Sequence, residues 1–120
     1  MSIVLAVDDS TSMRRMVSFV LQDAGYEVLE AADGIEALGV AKSRLVSLVI
    51  TDVNMPNMDG ISLIRTLRAL PGYQFTPLLM LTTEADPNRK QQGKQAGATG
   101  WILKPFSPEK LVNTVRKVLG

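Results

Sequence analysis

Short apolar runs alternate with amphipathic stretches along the whole chain. There are five such runs, and most are rich in Val, Ile and Leu and poor in charge, which is typical of strands that are buried on both faces of a parallel sheet. They cover residues 3–7, 27–31, 48–51, 78–81 and 100–103. Each run is followed by a segment whose apolar positions recur every three or four residues, and this spacing predicts a helix.

The first three predicted helices have recognisable start and stop signals. The first ends before Gly25 and buries one apolar face, made of Met13, Met16, Val17, Val20 and Leu21. The second begins at Asp33, which can cap it, and Glu36 occupies the third position of a capping box. The third follows Asp59 and Gly60, and its buried positions are Ile61, Leu63, Ile64 and Leu67.

The last two helices are predicted to begin at a capping residue followed by proline. The fourth begins at Asp86-Pro87 and ends before Gly97, although Gly93 weakens its interior. The fifth begins at Ser107-Pro108, and its buried positions are Leu111, Val112, Val115, Val118 and Leu119. A strand followed by a helix, five times over, predicts an α/β fold: a doubly wound five-stranded parallel sheet in one domain spanning residues 1–120.

The composition limits the chemistry that this domain can perform. The 120 residues carry a formal net charge of +1, which argues against a nucleic-acid binder. There is no Cys and no His, so any metal must be held by oxygen, as Mg²⁺ is. No apolar run approaches the length needed to cross a membrane, and the start of the chain is unlike a signal peptide. A cytoplasmic protein is therefore expected.

Chemically capable residues follow the predicted strands, where an open parallel sheet binds its ligands. Asp8 and Asp9 follow the first strand, and Asp52 follows the third, with Asn54 two residues further on. The fourth and fifth strands lead into a second set, made of Thr82, Glu84 and Lys104. Three neighbouring carboxylates repel one another unless a cation compensates, so the pattern predicts a Mg²⁺ site. Taken singly, Asp8 or Asp9 is also compatible with a helix cap, and Thr82 alone is better explained as an ordinary strand end. A solvated surface lysine is the alternative for Lys104, but its place at a strand end before Pro105 argues against it.

The chain resembles response-regulator receiver domains over essentially its whole length. The matching segments, in this order and at these separations, are residues 7–10, 50–56, 58–60, 81–83, 97–98 and 103–106. The resemblance implies the flavodoxin-like strand order 2-1-3-4-5 and a cis peptide between Lys104 and Pro105 that aims the lysine inward. It also implies a two-component phosphorelay, in which a histidine kinase donates a phosphoryl group and the domain catalyses its own phosphorylation and slow dephosphorylation.

The same resemblance implies a role for each residue of the site. Asp52 is the expected phosphoacceptor. Asp9, Asp52 and the carbonyl of Asn54 are expected to bind Mg²⁺ directly, and Asp8 through a water. Lys104 and Thr82 would contact the phosphoryl group. The side chains of Asn54 and Glu84 would tune the approach of the hydrolytic water. Thr82 and Trp101 would form the switch, although the family mostly has Tyr or Phe where this chain has Trp101.

The expected partners are the kinase and a downstream protein, bound by the surface of the fourth helix, fifth strand and fifth helix. Six basic residues of the two helices suggest an acidic partner: Arg89, Lys90, Lys94, Lys110, Arg116 and Lys117. The sequence around Gly100-Trp101 and Lys104-Pro105 most resembles stand-alone chemotaxis regulators, which act on the flagellar motor switch. The alternatives are a relay or adaptor receiver outside chemotaxis, an Mg²⁺-dependent aspartyl phosphatase and a flavodoxin-like cofactor binder.

Overall fold

The computed structural model of the chain describes residues 2–83 and 87–120. Five strands alternate with five helices. The strands are β1 (Ile3–Val7), β2 (Glu27–Ala31), β3 (Leu48–Asp52), β4 (Leu78–Thr83) and β5 (Gly100–Lys104). The helices are α1 (Thr11–Asp23), α2 (Gly34–Ser43), α3 (Gly60–Arg68), α4 (Pro87–Ala96) and α5 (Pro108–Leu119). No helix within the described residues is both long and apolar enough to span a membrane.

The strands form one parallel sheet in the order β2-β1-β3-β4-β5, which confirms the predicted topology. The last three strands extend one or two residues beyond their predicted ends, because the ladder pairs Asp52 with Leu81 and Thr83 with Lys104. Since β1 and β3 are neighbours, the ends of these two strands bring Asp8, Asp9 and Asp52 to one edge. The strand order thus places the acidic residues together.

Helices cover both faces of the sheet, as a doubly wound fold requires. On one face, α1 and α5 pack over an apolar cluster that includes Val17 and Leu21 of α1 and Leu111 and Val115 of α5. On the other face, the cluster contains residues of α2, α3 and α4, among them Ala37, Ile64 and Ala96. In α5 the predicted apolar face is correct, although only Leu111 and Val115 are fully buried and the other three positions are half-buried.

Short polar side chains fix where the helices begin. Asp33, Asp59 and Ser107 each accept a hydrogen bond from the backbone N–H three residues later, which confirms the predicted caps of α2 and α5 and identifies Asp59 as the N-cap of α3. The N-cap of α1 is Ser10, so capping of this helix does not explain Asp8 and Asp9. The capping-box prediction is corrected in one detail. The carboxylate of Glu36 accepts from Ala32 N at 3.3 Å, one residue before the cap. The expected cap of α4, Asp86, lies outside the described residues.

Gly93 has a packing role that its low helix propensity does not suggest. It is buried on the face of α4 that packs against β4. A Cβ at this position would collide with the side chain of Met80. The glycine therefore allows α4 to approach the sheet closely, which offsets the cost of placing glycine inside a helix.

Candidate functional site

Three carboxylates meet where β1 and β3 end at the carboxyl edge of the sheet. One oxygen each from Asp8, Asp9 and Asp52 can be chosen so that all three atoms lie within 4.8 Å of one another. Asp8 is buried, Asp52 is half-buried and Asp9 is exposed. The cluster therefore runs from the interior to solvent, and an ion bound there would keep access to water.

Asp8 is held in an unfavourable position for a carboxylate. Its residue exposure is only 2%, and its Oδ1 accepts a hydrogen bond from Ser10 N at 2.9 Å. Its Oδ2 is the one buried side-chain polar atom without a hydrogen-bond partner in residues 2–83 and 87–120, and the Lys104 ammonium is 3.9 Å away. Burial raises the pKa of Asp8, and repulsion from Asp52 adds to this effect, while the Ser10 N–H opposes it. An unpartnered buried oxygen is costly, so its presence points to a ligand.

The Asp52 carboxylate is oriented by two donors. Its Oδ1 accepts hydrogen bonds from Val53 N at 2.9 Å and from Lys104 Nζ at 3.0 Å. The Lys104 side chain is only 23% exposed, so the structure excludes the simple interpretation of a solvated lysine. The Lys104–Pro105 peptide is cis, as the resemblance implied. Lys104 therefore contacts the acidic cluster directly from the end of β5.

Gly60 sets the position of Asp52 from the other side of the loop. Its N–H donates to Val53 O at 2.9 Å, which folds the loop between β3 and α3 back onto the strand end. A Cβ at Gly60 would collide with the backbone carbonyl oxygen of Asp52. From the sequence, Gly60 was predicted only to belong to the matching segment 58–60 and to precede the third helix. Its close approach to Asp52 depends on a contact between segments that the sequence pattern does not reveal.

A cavity of about 160 Å³ lies beside the Asp52 carboxylate. It is lined by Asp52, Val53, Asn54, Leu81, Thr82, Thr83, Arg89 and Lys104. The buried Thr82 hydroxyl lies in this wall and donates to Thr83 O at 3.3 Å, so in this structure it is bonded to its own strand. Asn54 is at the exposed side of the cavity. The structure thus brings Asp52, Asn54, Thr82 and Lys104 around one space.

Arg89 was not predicted to belong to this site. It lies in the first turn of α4, and its Nη2 donates to Asn54 Oδ1 at 3.0 Å. The sequence identified Arg89 only as a basic residue of the fourth helix. Whether the first turn of that helix faces the loop after β3 depends on tertiary packing, so its contact with Asn54 could not be predicted. Glu84, the other residue expected to tune hydrolysis, lies outside the described residues.

Trp101 is located away from the cavity, on the outer side of β5. It is 40% exposed, and Lys90 Nζ lies 5.6 Å from the centre of its ring, which is a cation–π distance. Lys110 contributes to the same surface, where it lines a shallow depression with Trp101 and Phe106. Two of the six basic residues lie elsewhere, because Arg89 lines the cavity and Arg116 lines a groove between α1 and α5. The expected basic surface is therefore smaller than the sequence suggested.

Known proteins share both the sequence pattern and this architecture. The response regulator receiver domain family matches residues 4–116. A chemotaxis protein CheY homolog of Campylobacter jejuni is 40% identical over 119 residues, which cover 98% of this chain and 92% of that protein. The structure of the chemotaxis response regulator CheY4 of Vibrio cholerae is 56% identical, with a TM-score of 0.94 and 99% of each chain covered.

A more distant structure has the same fold. The CheY-like receiver domain protein of Methanospirillum hungatei is 28% identical, with a TM-score of 0.92 over 99% of this chain and 94% of that one. In all three comparisons the alignment includes both the acidic edge and the helices that surround it, since it covers nearly the whole chain. The chain belongs to the response regulator receiver domain family and is similar to chemotaxis regulators of the CheY type.

Proposed function

We propose that the chain is a phosphorylation-activated regulator that accepts a phosphoryl group on Asp52 from a phosphohistidine of a sensor kinase. The observation that carries this proposal is the arrangement around Asp52. Its carboxylate is fixed by Lys104 at 3.0 Å, faces a cavity of about 160 Å³, and adjoins two further carboxylates. The cavity is several times the volume of about 30 Å³ that a water molecule occupies in the liquid, so it offers room for a phosphoryl group.

The acidic cluster fits Mg²⁺ by its donor chemistry. All candidate ligands are oxygens, which Mg²⁺ prefers, and the buried Asp8 Oδ2 has no hydrogen-bond partner within the described part of the chain. Asp9, Asp52 and the Asn54 carbonyl would hold the ion directly, and Asp8 would act through a bound water. When bound, Mg²⁺ neutralises negative charge on the carboxylates and on a phosphoryl oxygen.

In the proposed step, an Asp52 oxygen forms a bond to phosphorus while the P–N bond to the histidine breaks. The departing ring nitrogen takes the electron pair of that bond, and the other ring nitrogen keeps its proton, so neutral imidazole leaves. Lys104 stabilises the charge that develops on the phosphoryl oxygens, because its ammonium is already beside Asp52. The Thr82 hydroxyl would exchange its bond to Thr83 O for one to the phosphoryl group.

This exchange by Thr82 is the proposed origin of the switch. Thr82 and Thr83 belong to β4, which pairs with β5, the strand that contains Trp101. A movement of Thr82 would therefore displace residues that neighbour Trp101. We propose that the surface of α4, β5 and α5 carries the signal, with Trp101 and the cations of Lys90 and Lys110 binding an acidic partner. The relatives named for chemotaxis support a role in chemotaxis. We propose that the chain acts there in the cytoplasm, with the flagellar motor switch as its target. A relay or adaptor role outside chemotaxis is the alternative.

The test is to incubate the protein with phosphoramidate and Mg²⁺ and to measure intact mass. We expect the wild type to gain the mass of one phosphoryl group and Asp52→Asn to gain none, because an amide cannot act as the nucleophile. Asp23→Asn, which removes an exposed carboxylate of α1, is the matched control and should be phosphorylated like the wild type. A wild type that gains no mass, or an Asp52→Asn variant that does, would contradict the proposal. Rapid release of many equivalents of phosphate would indicate a phosphatase.

A further inference from the structure

A hydrogen bond between Arg89 and Asn54 connects the first turn of α4 with the loop after β3. Arg89 Nη2 donates to Asn54 Oδ1 at 3.0 Å, across 35 positions of sequence. Both side chains line the cavity that also contains Asp52, Thr82 and Lys104. The two residues therefore form part of the wall around the carboxylate that is the proposed phosphoacceptor.

The chemistry of the two groups fixes how Asn54 is oriented. A guanidinium group donates hydrogen bonds and accepts none, whereas an amide has one accepting oxygen and one donating nitrogen. The oxygen of Asn54 must therefore face Arg89, and its amide nitrogen is directed elsewhere. Loss of Arg89 would free the amide to turn and to leave its place at the cavity.

We propose that Arg89 is a positioning residue that holds Asn54 at the solvent side of the cavity and thereby slows hydrolysis of phosphorylated Asp52. This inference rests on the proposed function. Burial supports the placement, because Asn54 is exposed and Arg89 is half-buried, whereas Thr82 on the inner wall is buried. Asn54, like the exposed Thr83, therefore lies where the cavity opens to solvent.

Hydrolysis requires water to approach phosphorus opposite the Asp52 oxygen. The water oxygen forms a bond to phosphorus, the bond between phosphorus and Asp52 breaks, and its electron pair returns to the carboxylate. The products are the free carboxylate and dihydrogen phosphate, which keeps both protons of the water. An Asn54 side chain held by Arg89 occupies space on the approach path, so fewer water molecules reach the in-line position.

The experiment measures how long the acyl phosphate persists. The protein is phosphorylated with phosphoramidate and Mg²⁺, the donor is removed by desalting, and the loss of the phosphoryl group is followed by intact mass. Arg89→Ala should speed the decay about threefold to tenfold, which is the range expected from losing one hydrogen bond made by a charged donor at an exposed site. Arg89→Lys keeps a cationic donor and should restore most of the slow decay.

A double-mutant cycle separates positioning from a direct effect of charge. If Arg89 acts through Asn54, Arg89→Ala should cause no further change in a protein that already carries Asn54→Ala. The matched control is Lys94→Ala, which removes one exposed positive charge from the same helix without touching the cavity. Its decay rate should equal that of the wild type.

Each result supports or overturns the inference. If the wild type is phosphorylated and Arg89→Ala decays at the same rate or more slowly, the inference is wrong and the proposed function stands. If Arg89→Ala speeds decay equally with and without Asn54, Arg89 acts independently of Asn54 and the inference is wrong. If the wild type takes up no phosphoryl group, both the proposed function and this inference are wrong.

Discussion

At the amino edge of the sheet, where helices lead into strands, buried polar groups bond to one another, whereas at the carboxyl edge one buried oxygen has no hydrogen-bond partner within the described residues. The Tyr73 hydroxyl shows the first arrangement: it donates to the carbonyls of Ala41 and Arg44 and accepts from Val46 N. Arg68 donates to three backbone carbonyls that belong to Tyr73, Thr76 and Gly97. These bonds join the ends of α2 and α3 to the loops that lead into β3, β4 and β5.

The carboxyl edge carries the opposite arrangement in the same sheet. Asp8, Asp9 and Asp52 crowd together, burial raises the pKa of Asp8, and its Oδ2 is unpartnered within the described residues. The Lys104 ammonium, 3.9 Å from Asp8 Oδ2, does not fully offset the cost of burying this charge, and such an arrangement persists where it serves a ligand or a reaction. The comparison indicates that the amino edge supplies stability and that the carboxyl edge gives up stability for function.

The largest expected effect comes from removing the Tyr73 hydroxyl. Tyr73→Phe leaves a buried N–H without a partner and removes a donor from two carbonyls, so the free energy of unfolding should fall by about 1–3 kcal/mol. Urea denaturation would measure it, and phosphorylation of the folded protein should be unchanged. Tyr26→Phe is the control, because no hydrogen bond of the Tyr26 hydroxyl is found within residues 2–83 and 87–120. Equal stability of the two variants would contradict the role of the amino edge.

A smaller effect of opposite sign is expected at the carboxyl edge. Asp8→Asn keeps an oxygen to accept from Ser10 N and removes a buried negative charge beside Asp52. With a chelator present, the variant should be more stable than the wild type by about 0.5–1.5 kcal/mol, since the fold disfavours this charge. With saturating Mg²⁺ the gain should shrink or reverse, because binding stabilises the wild type more strongly. A variant that is less stable in chelator would show that the Asp8 charge is well accommodated.

The smallest effect concerns Asp33, a half-buried acid at the same edge whose carboxylate is hydrogen-bonded within the chain. Its carboxylate accepts from Glu36 N and Asn57 Nδ2, and these bonds lower its pKa. Because the folded pKa is lowered, this contribution to stability is complete above the ordinary Asp value of about 3.9 and is lost as pH falls through the folded pKa. Asp33→Asn keeps the cap, so the wild type should be slightly more stable at neutral pH.

The measurement is urea denaturation of both proteins between neutral and acidic pH. The stability difference between wild type and Asp33→Asn should vanish at the acidic end of the range. A difference that does not change with pH would mean that the carboxylate charge of Asp33 contributes nothing. Asp33 and Asp8 are both acidic residues at the carboxyl edge, but Asp33 is expected to stabilise the fold and Asp8 to destabilise it. If both results are found, the difference must come from burial and hydrogen bonding, and not from negative charge or position at this edge.

The fold and the acidic cluster could be predicted because the relevant signals are local. Apolar runs set the strands, and the short polar residues Asp33, Asp59 and Ser107 set where helices begin. In a parallel sheet all carboxyl ends meet at one edge, so Asp8, Asp52 and Lys104 could be expected to converge without any coordinates. The ends of the strands were predicted less accurately, because they depend on how far the pairing between neighbouring strands continues. The pair formed by Thr83 and Lys104, for example, lies beyond both predicted ends.

The sequence by itself determined the sheet, its layers and the set of chemically capable residues, because each follows from short-range periodicity and the geometry of parallel strands. Only the tertiary structure decided which atoms meet. It brought Arg89 to Asn54, placed Gly60 against the Asp52 carbonyl and left Asp8 Oδ2 without a hydrogen bond from the residues that the structure describes. Such contacts join segments that are far apart in the chain. They depend on the packing of helices to within about 1 Å, and local sequence patterns do not encode packing at that precision.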